Sequence, residues 1–437
     1  MIDNREQLSR STARAHVLDA IEAGIAAGDP QRAVTASIRL ADSQLYVDET
    51  AYDLTTIDRI IVVGAGKAAG RQAQAVEAIL GDMITDGKVI TTESVSCDQI
   101  AISIGDHPVP TERNVDATND ILELLTRVDD RTIVLALISG GGSALLTAPA
   151  GNLTLDHLQT VTHQLLTSGA TISEINAVRT HLSAVKGGKL ASQAAPATVI
   201  TLAMSDVVGD EPSIIASGPT VSTEATAADA RSVLQRYDIQ LPDEVDEHLS
   251  ELEHSEGQTG SGVGAADYYV IANANTALDA ARETLDAAGY KTLILSSRFG
   301  GEARDLARFH TAIAAEIEAT GSPLSPPAAL LSGGEATVTV TGTGQGGANQ
   351  EFVLSAAIDL PRGTTVGAVD TDGIDGDSPA AGAVADCDTV TDSTAATAAL
   401  ANNDVYTFFD DMSEVIETGY TGTNLNDLRI IVVEDTG

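Results

Sequence analysis

The sequence predicts an α/β protein with two domains, spanning residues 1–256 and 265–437. Short apolar runs rich in β-branched residues alternate with amphipathic segments, which is typical of a parallel sheet with helices on both faces. The chain has 437 residues, more than one hydrophobic core usually organises. Residues 254–266, HSEGQTGSGVGAA, are rich in glycine and serine and form the predicted linker.

The first domain opens with predicted helices within residues 5–42 and a strand at 59–63, followed by the glycine turn GAGKAAG at 64–70. Spaced glycines between a strand and a helix suggest a dinucleotide fold, but Glu93, the nearest candidate for the ribose-binding acid, comes late in the sequence. Lys67 inside the turn favours a phosphate group instead, because its ammonium adds positive charge beside backbone donors. The spacing GxxxxGK[ST] of a nucleotide phosphate loop is missing.

The loop GDHPVP, residues 105–110, separates predicted strands from a helix at 111–127. Its His107 is either an acid–base group or a structural hydrogen-bonding residue.

The most informative stretch is RTIVLALISGGGSALL, residues 131–146. Residues 132–138 predict a strand that is buried on both faces. The loop that follows consists of Ser139, Gly140, Gly141, Gly142 and Ser143. Glycine permits positive φ and close approach of backbone amides, and successive amides before a helix bind anions. We interpret the loop as an anion site, with a tight turn that binds nothing as the alternative.

Lysine is scarce in this chain, yet several lysines stand beside glycines. The densest basic cluster contains Arg179, Lys186, Gly187, Gly188 and Lys189. Neutralisation of a phosphate is the natural use of such a cluster, and surface lysines for solubility are the alternative.

Carboxylates follow the next predicted strand, residues 198–204. Asp206 and Asp210 come directly after it, where α/β sheets place their chemistry. Asp206 is a candidate to hold Mg²⁺ or to accept a proton from a substrate hydroxyl, and a helix cap is the alternative.

A second series of strands and helices begins at Tyr268. Ser332-Gly333-Gly334-Glu335 follows an apolar run and predicts a second strand-to-glycine turn. The segment DTDGIDGD at 370–377 resembles a calcium loop, but Ala381 stands where the bidentate glutamate is required. We interpret it as an active-site loop in which Asp372 or Asp375 faces a metal–nucleotide.

The chain is strongly acidic, with 63 Asp and Glu against 24 Lys and Arg and a formal net charge of −39. Nucleic acid is therefore excluded as a partner, and no apolar run is long enough to span a membrane. Because the acid is spread along the chain, we expect adaptation to a high-salt cytosol, where the Debye length falls to about 3 Å; an acidic enzyme without this adaptation is the alternative. The polar N-terminus predicts a cytoplasmic protein. The oligomeric state, monomer or homodimer, stays open.

Anion-friendly loops, a few well-placed lysines and carboxylates at strand ends together indicate phosphoryl transfer, which needs positioning and charge neutralisation rather than covalent chemistry. The residues alone thus predict a two-domain α/β enzyme that handles phosphate.

Nine motifs closely resemble those of the MOFRL-type, or class II, glycerate 2-kinases, in the family's order along nearly the whole chain. They are GAGKAA, GDHPVP, LISGGGSALL, SEINAVRTHLSAVKGGKLA, SDVVGDEPSIIASGPTV, LLSGGEATVTVTGTGQGG, NQEF, DTDGIDG and TGTNLNDL. The resemblance implies two α/β domains, the second a smaller mixed sheet with helices, and an active site in the cleft between them. It also implies ATP- and Mg²⁺-dependent phosphorylation of D-glycerate at its 2-hydroxyl to give 2-phosphoglycerate.

With this resemblance, the candidate residues take predicted roles. Lys67, as the family's catalytic lysine, acts with Asp206 and Arg179. The substrate and phosphate would be bound by Gly64, Gly66, Ser139, Gly140, Gly141, Gly142, Ser143, Lys186, Gly187, Gly188 and Lys189. The nucleotide would be bound by Gly333, Gly334, Glu335, Asn349, Thr421, Gly422 and Asn424. Metal ligands would come from Asp206, Asp210, Asp372 and Asp375.

The chain departs from the family pattern at Ala348, where the motif GGRNQE usually carries an active-site arginine. Smaller departures are Thr180, where lysine is frequent, and Tyr420, where proline is usual. Two other functions stay open: an NAD(P)H-dependent hydroxypyruvate reductase that uses residues 64–70, and a non-catalytic protein that binds glycerate or a nucleotide.

Overall fold

A computed structural model of the chain describes residues 1–256 and 266–435. They form two compact units, one of Pro30–Ile271 and one of Met1–Asp29 with Ala272–Gly437, which we call the parallel-sheet unit and the mixed-sheet unit. Most of the predicted linker, at 257–265, lies outside the described residues. Within residues 1–256 and 266–435, no helix is long and apolar enough to cross a membrane.

The helices and strands are as follows. The helices are α1 (Arg5–Leu8), α2 (Thr12–Ala27), α3 (Pro30–Ser37), α4 (Ala69–Leu80), α5 (Glu112–Leu125), α6 (Gly142–Leu145), α7 (Leu155–Thr167), α8 (Ile172–His181), α9 (Lys189–Gln193), α10 (Ala227–Arg236), α11 (Asp243–Glu256), α12 (Ala274–Ala287), α13 (Ala303–Thr320), α14 (Ala348–Ala357), α15 (Ser393–Ala401) and α16 (Val405–Asp410). The strands are β1 (Ile38–Ala41), β2 (Gln44–Val47), β3 (Thr50–Asp53), β4 (Arg59–Ala65), β5 (Ile84–Thr91), β6 (Ala101–Ile104), β7 (Thr132–Ile138), β8 (Thr198–Met204), β9 (Asp267–Ala272), β10 (Lys291–Glu302), β11 (Ala328–Thr337), β12 (Thr364–Asp370), β13 (Gly382–Asp386), β14 (Val415–Ile416) and β15 (Asp427–Val433).

The parallel-sheet unit is built on a six-stranded sheet with the order β6-β5-β4-β7-β8-β9. The strand pairs from β6 to β8 are parallel, as predicted. Every residue of β7 is buried, because helices cover both faces of the sheet. The consecutive β4 residues Val62 and Val63 belong to different cores. Val62 shares its core with Val76 of α4, and Val63 shares its core with Ile121 of α5.

The strand order reverses between β4 and β7. From β4 the chain proceeds outward through β5 to β6, and it then returns to β7 on the other side of β4. Ligands of open α/β sheets bind beyond the carboxyl ends of the strands at such a point. The loops that follow β4 and β7 therefore lie at the expected position of a site.

A helical layer accompanies this sheet. Helices α7, α8, α10 and α11 share their own apolar core, which contains Val161, Val178, Leu234 and Leu249. Each of these helices buries an apolar side in this core, so the helices are packed together as one layer.

The mixed-sheet unit has the strand order β10-β11-β15-β12-β13-β14. Only β10 and β11 pair in parallel among the described pairs, and the other pairs are antiparallel. Helices α2 and α12 pack on one face, and α13 and α14 pack on the other. Two α/β units, one with a parallel and one with a mixed sheet, confirm the predicted fold class.

The division of the chain differs from the predicted segments 1–256 and 265–437 in two respects: β9 lies in the parallel sheet, and the first 29 residues belong to the mixed-sheet unit. Helix α2 packs in the mixed-sheet unit, where its Val17 and Ile21 share a core with Leu278 of α12 and Ile430 of β15. The amphipathic pattern of α2 identifies a helix with an apolar side, but it does not identify the sheet that the helix covers.

The predicted glycine turn after residue 331 is wrong. Gly333 and Gly334 lie inside β11, opposite Leu428 and Asp427 of β15, and Glu335 pairs with Gly300 of β10. Neighbouring strands on both sides supply partners for the backbone, and their pairing overrides the local tendency of glycine to turn.

Candidate active site

The glycine turn after β4 is closed by hydrogen bonds. The amide of Gly66 donates to Ile90 O (3.1 Å), that of Lys67 to Gly140 O (2.8 Å) and that of Ala68 to Ser139 Oγ (3.1 Å). A Cβ at Gly66 would lie 2.0 Å from Ser139 Oγ, so only glycine fits against the loop after β7. The backbone donors of this turn therefore serve the fold, and Gly64 is part of β4. This differs from the prediction that the turn's own amides hold a phosphate.

The side chain of Lys67 is the group that this turn contributes to a site. Thr91 Oγ1 donates to the carbonyl of Lys67 (3.0 Å), which fixes the backbone. Among residues 1–256 and 266–435, the ammonium of Lys67 has neither a hydrogen-bond acceptor nor an ion-pair partner. A cation that is held by its backbone and left without a partner is suited to bind an anion.

The loop Ser139–Ser143 after β7 is open, in contrast to the first turn. Gly141 has φ +80°, and Gly142 donates to Ser139 O (3.1 Å). The amides of Gly140, Gly141 and Ser143 donate to no group in the described part of the chain. Three free donors in one loop beside a cavity have the geometry that an anion site needs, and anion binding here stays a prediction.

Asp206 lies directly against this loop. A Cβ at Gly140 would be 2.2 Å from Asp206 Oδ2, so the missing side chain makes room for the carboxylate. Burial raises the pKa of Asp206, whereas a hydrogen bond from its own amide and the Lys67 ammonium oppose the rise. His107 also borders Gly141, and burial followed by the charge of Lys67 lowers its pKa. The fold thus brings a lysine, a carboxylate and an imidazole to the glycine loop.

The basic cluster divides into residues with different roles. Lys189 Nζ donates to Thr180 O and Ser183 O, both at 2.6 Å, and so fixes the end of α8. Lys186 is buried and donates to Leu146 O (2.6 Å); burial, with the nearby charges of Arg179 and Lys189, lowers its pKa to about 7.

Arg179 differs from the two lysines of this cluster because its side chain is not engaged by the described part of the fold. Its guanidinium is partly buried, which lowers its pKa, and it has no hydrogen-bond or ion-pair partner among the described residues. The glycines between the lysines serve the fold instead: the amide of Gly187 donates to Ser217 O (3.1 Å) and that of Gly188 to Gly218 O (2.7 Å).

Sequence reasoning missed the contribution of the segment Ile214–Pro219. Ala216 and Ser217 have φ of +51° and +63°, which costs about 1–3 kcal/mol for each such residue. Ser217 Oγ contacts Ser143 Oγ (2.8 Å) and donates to Asn176 Oδ1 (2.9 Å), so the strained turn connects the glycine loop to α8. The Ser-Gly-Pro sequence indicates a turn here, but it does not indicate these partners.

These groups surround a cavity of about 720 Å³ in the parallel-sheet unit. Gly140, Gly141, Ser143, Asp206, Arg179 and Lys186 line its polar part. Helices α7 and α8 form much of the remaining wall, with Leu158, Leu166 and Ile172 among the lining residues. The polar part can hold anionic groups, and the rest is apolar.

The candidate residues of the mixed-sheet unit form a separate, buried polar cluster. Asp375 accepts from the amides of Asn349 (3.0 Å) and Gln350 (2.8 Å) at the start of α14, and burial raises its pKa to about 7. Asn349 Nδ2 donates to Asp427 Oδ1 (2.6 Å), and Asp427 pairs with the buried Arg429. Both oxygens of Asp375 are therefore engaged, which differs from its predicted role facing a metal.

Asp372 lies on the loop after β12, where its carboxylate accepts from the amide of Ile374 (2.9 Å). Thr421 Oγ1 donates to Thr371 O (2.6 Å), and Asn424 Oδ1 accepts from the amide of Asn426 (3.0 Å). The first of these contacts joins the loop that contains Gly422 to the loop after β12. The predicted nucleotide contacts of both loops stay a prediction.

Comparison with known proteins identifies the family. The family described as "Domain of unknown function (DUF4147)" matches residues 16–250, and the "MOFRL family" matches residues 328–427. The D-glycerate 2-kinase of Thermotoga maritima is 39% identical over 388 residues, which cover 86% of this chain and 90% of that protein. The chain belongs to the MOFRL-type glycerate 2-kinase family.

A solved structure and a second relative show the same similarity. A crystal structure of glycerate kinase from Thermotoga maritima superimposes with a TM-score of 0.86 at 36% identity, covering 96% of this chain and 98% of that one. A protein of Agrobacterium vitis is 42% identical over 385 residues, which cover 86% of this chain and 87% of its own, and it carries the provisional name hydroxypyruvate reductase.

Proposed function

We propose that this protein transfers the γ-phosphoryl group of ATP to the 2-hydroxyl of D-glycerate, which yields 2-phosphoglycerate and ADP. The observation that carries the proposal is the composition of the polar part of the cavity. Arg179, the three free amides and the carboxylate of Asp206 line it, and Lys67, the other unpartnered cation, lies against Gly141 of the glycine loop. This set matches the needs of phosphoryl transfer, namely charge neutralisation, positioning and a proton acceptor.

Lys67 and the glycine loop would act on the phosphate groups. The amides of Gly140, Gly141 and Ser143 are fixed donors, and the Lys67 ammonium adds a full positive charge next to them. Because these groups are held by the fold before ligand binds, little reorganisation is needed as charge develops on the transferring phosphoryl group.

Arg179 would bind the carboxylate of glycerate. A guanidinium donates two parallel hydrogen bonds to a carboxylate, which fixes both the position and the orientation of a small acid. Its partly buried position strengthens that interaction, because bulk water screens it less. Binding at the carboxylate would present the adjacent 2-hydroxyl, rather than the 3-hydroxyl, to the phosphate.

Asp206 would accept the proton of that hydroxyl. Its pKa is raised by burial, so it is a better base than an exposed aspartate, and Oδ2 lies against Gly140 beside the phosphate donors. The proton moves to Asp206 while the hydroxyl oxygen bonds to phosphorus and the ADP oxygen leaves.

Mg²⁺ would be held at the loop after β8. No group of three His, Cys, Asp or Glu side chains in the described residues is arranged to hold a metal by itself. Mg²⁺ in kinases is held by one or two carboxylates and the substrate phosphates, and Asp210 would supply an oxygen donor of this kind while Asp206 takes the proton. When bound, the ion would neutralise phosphate charge.

The decisive test is an assay with ATP, Mg²⁺ and D-glycerate, coupled to enolase without a mutase so that only 2-phosphoglycerate is detected. We expect product formation that depends on all three components. Folded protein that binds ATP but forms no product would contradict the proposal and favour the non-catalytic alternative, with Ala348 as the first residue to restore to arginine.

The reductase alternative has less support. An NAD(P)H site at residues 64–70 would need the amides that Lys67 and Ala68 already donate within the protein. Its ribose-binding acid, Glu93, accepts a hydrogen bond from Arg71 Nε (2.9 Å). Oxidation of NADH with hydroxypyruvate at a rate comparable to the kinase reaction would reverse this preference.

The proposal includes a salt requirement. At a net charge of −39 the surface repels itself in dilute buffer, and about 2–3 M KCl screens this repulsion. We expect the thermal midpoint and kcat to rise between 0.2 M and about 3 M KCl. A chain that is equally stable and active at both concentrations would contradict the halophilic interpretation.

A further inference from the structure

The cavity is larger than glycerate requires. Glycerate has about 7 non-hydrogen atoms, which at roughly 20 Å³ each fill about a fifth of the cavity. The cavity measures about 720 Å³. ATP has about 31 such atoms. The combined volume of ATP and glycerate is therefore close to the volume of the cavity.

The wall of the cavity includes large apolar side chains that are exposed. Val109 in the loop after β6, Leu166 near the end of α7 and Ile172 at the start of α8 line the cavity, with exposures of 59%, 59% and 50%. They come from different elements, so the fold gathers them in one place. Uncovered apolar surface of this kind in a cavity marks a ligand-binding wall.

The phosphate donors determine which part of a ligand can reach this wall. The free amides of Gly140, Gly141 and Ser143 line the same cavity, so a ligand whose phosphates bind there has its remaining atoms within that space. In the mixed-sheet unit, by contrast, Gly333 and Gly334 are paired inside β11 and leave no turn to receive a nucleotide.

We infer that the nucleoside of ATP lies in the cavity of the parallel-sheet unit, against the apolar wall of Val109, Leu166 and Ile172, with its phosphates at the glycine loop. This assignment rests on the proposed use of ATP, and it places the base on a different surface from the residues that the sequence suggested. Apolar side chains would cover the faces of the base, and the side chains of Thr162 and His163 line the cavity nearby to meet its polar edge.

The test compares ATP with inorganic tripolyphosphate, which has the phosphates but no nucleoside. Dissociation constants are measured by calorimetry in the presence of Mg²⁺ and KCl for the wild-type chain, Leu166→Ser, Ile172→Ser and the double variant. Because both side chains are exposed, the variants should fold with an unchanged thermal midpoint. The matched control is Leu40→Ser, an exposed leucine of the same unit outside the cavity.

We expect each substitution to weaken ATP about fivefold and the double variant about 20-fold, while tripolyphosphate binding changes less than about twofold. Leu40→Ser should leave both constants unchanged. Equal weakening of ATP and tripolyphosphate, or no weakening of either, would overturn the assignment.

Other occupants of the wall give different results that also overturn the assignment. If the wall binds a substituent of the acceptor acid, only the KM of that acid rises. If a second copy of the chain covers it, the variants dissociate a dimer in light scattering while ATP binding is retained. Wild-type protein that binds ATP without turnover would contradict the proposed kinase activity, yet it would leave this assignment standing.

Discussion

The two units contain nearly the same segment with opposite outcomes. In the parallel-sheet unit, LISGGG ends β7 at Ile138, and the glycines form an open loop with free amides. In the mixed-sheet unit, LLSGGE continues β11 to Thr337. The difference lies in the neighbours, since β15 pairs with β11 as far as Gly334, whereas β4 pairs with β7 only as far as Ile138. In this protein, the glycine run after a buried strand forms an open loop where the pairing with the adjacent strand also ends, and it stays in the sheet where that pairing continues.

The sharpest test of this contrast removes the cation beside the open loop. Lys67→Ala should lower kcat about a thousandfold, because the transferring phosphoryl group loses its nearest positive charge. The thermal midpoint should not change, because the ammonium has no partner in the described residues. Lys88→Ala is the control, since Lys88 pairs with Asp120 at the surface (3.4 Å). A loss of less than tenfold would remove Lys67 from the chemistry.

Gly334, which is paired with β15 inside β11, should matter for stability. Gly334 has φ +111°, and a Cβ there would lie 2.1 Å from Phe299 O, which is backbone and cannot move aside. We expect Gly334→Ala to lower the free energy of unfolding by about 3 kcal/mol or more in guanidinium titration. Gly301→Ala is the control that separates backbone strain from a steric clash. Gly301 has φ +106°, but an added Cβ would have nothing within 4 Å, so this substitution should cost only about 1 kcal/mol. Equal losses in the two variants would show that the close pairing of β11 is unimportant.

Corresponding glycines of the two segments should respond differently in activity. Gly140→Ala would place a Cβ 2.2 Å from Asp206 Oδ2 and push the carboxylate out of position, so kcat should fall about a hundredfold with little loss of stability. Gly333→Ala meets its nearest atoms, Asp427 O and Leu278 Cδ1, at 3.3 Å, and its kcat should stay within about twofold of wild type. Similar rates for both variants would contradict the assignment of the open loop to the active site.

The smallest expected effect concerns pH. The pKa of Lys186 is lowered to about 7, so its charge is lost as pH rises from 6 to 8. Because Lys186 lines the cavity, the KM for glycerate should rise about tenfold over that window, and Lys186→Met should abolish the dependence. A lysine whose pKa is lower when folded penalises the folded state below pH 7, and the penalty is relieved as pH rises towards its ordinary value of 10.5. Lys186→Met should therefore gain most stability, relative to wild type, at low pH.

Much of the site could be predicted from sequence because its parts are local. The strand and glycines of LISGGGSALL, the lysine inside GAGKAAG and the carboxylate directly after β8 are each recognisable within a few residues. The carboxyl ends of parallel strands meet at one edge of a sheet, so their proximity also follows from the predicted fold.

Other assignments needed the partners of each group. Lys186 and Lys189 look alike in VKGGKL, yet Lys189 binds two carbonyl groups at the end of α8 and Lys186 lines the cavity. Arg179 differs from both in having no partner among the described residues. Composition cannot distinguish these cases, because the acceptors come from distant segments.

The sequence by itself determined the fold class, the family and the chemical character of the site, since periodicity, motif order and residue type are properties of short segments. Only the tertiary structure decided which glycine turns are open, which unit contains α2 and where the apolar wall of the cavity lies. The physical reason is the same in each case: hydrogen-bond partners and apolar neighbours are supplied by residues far away in the chain. Glycine-rich segments with similar sequences therefore acquire different functions when different strands lie beside them.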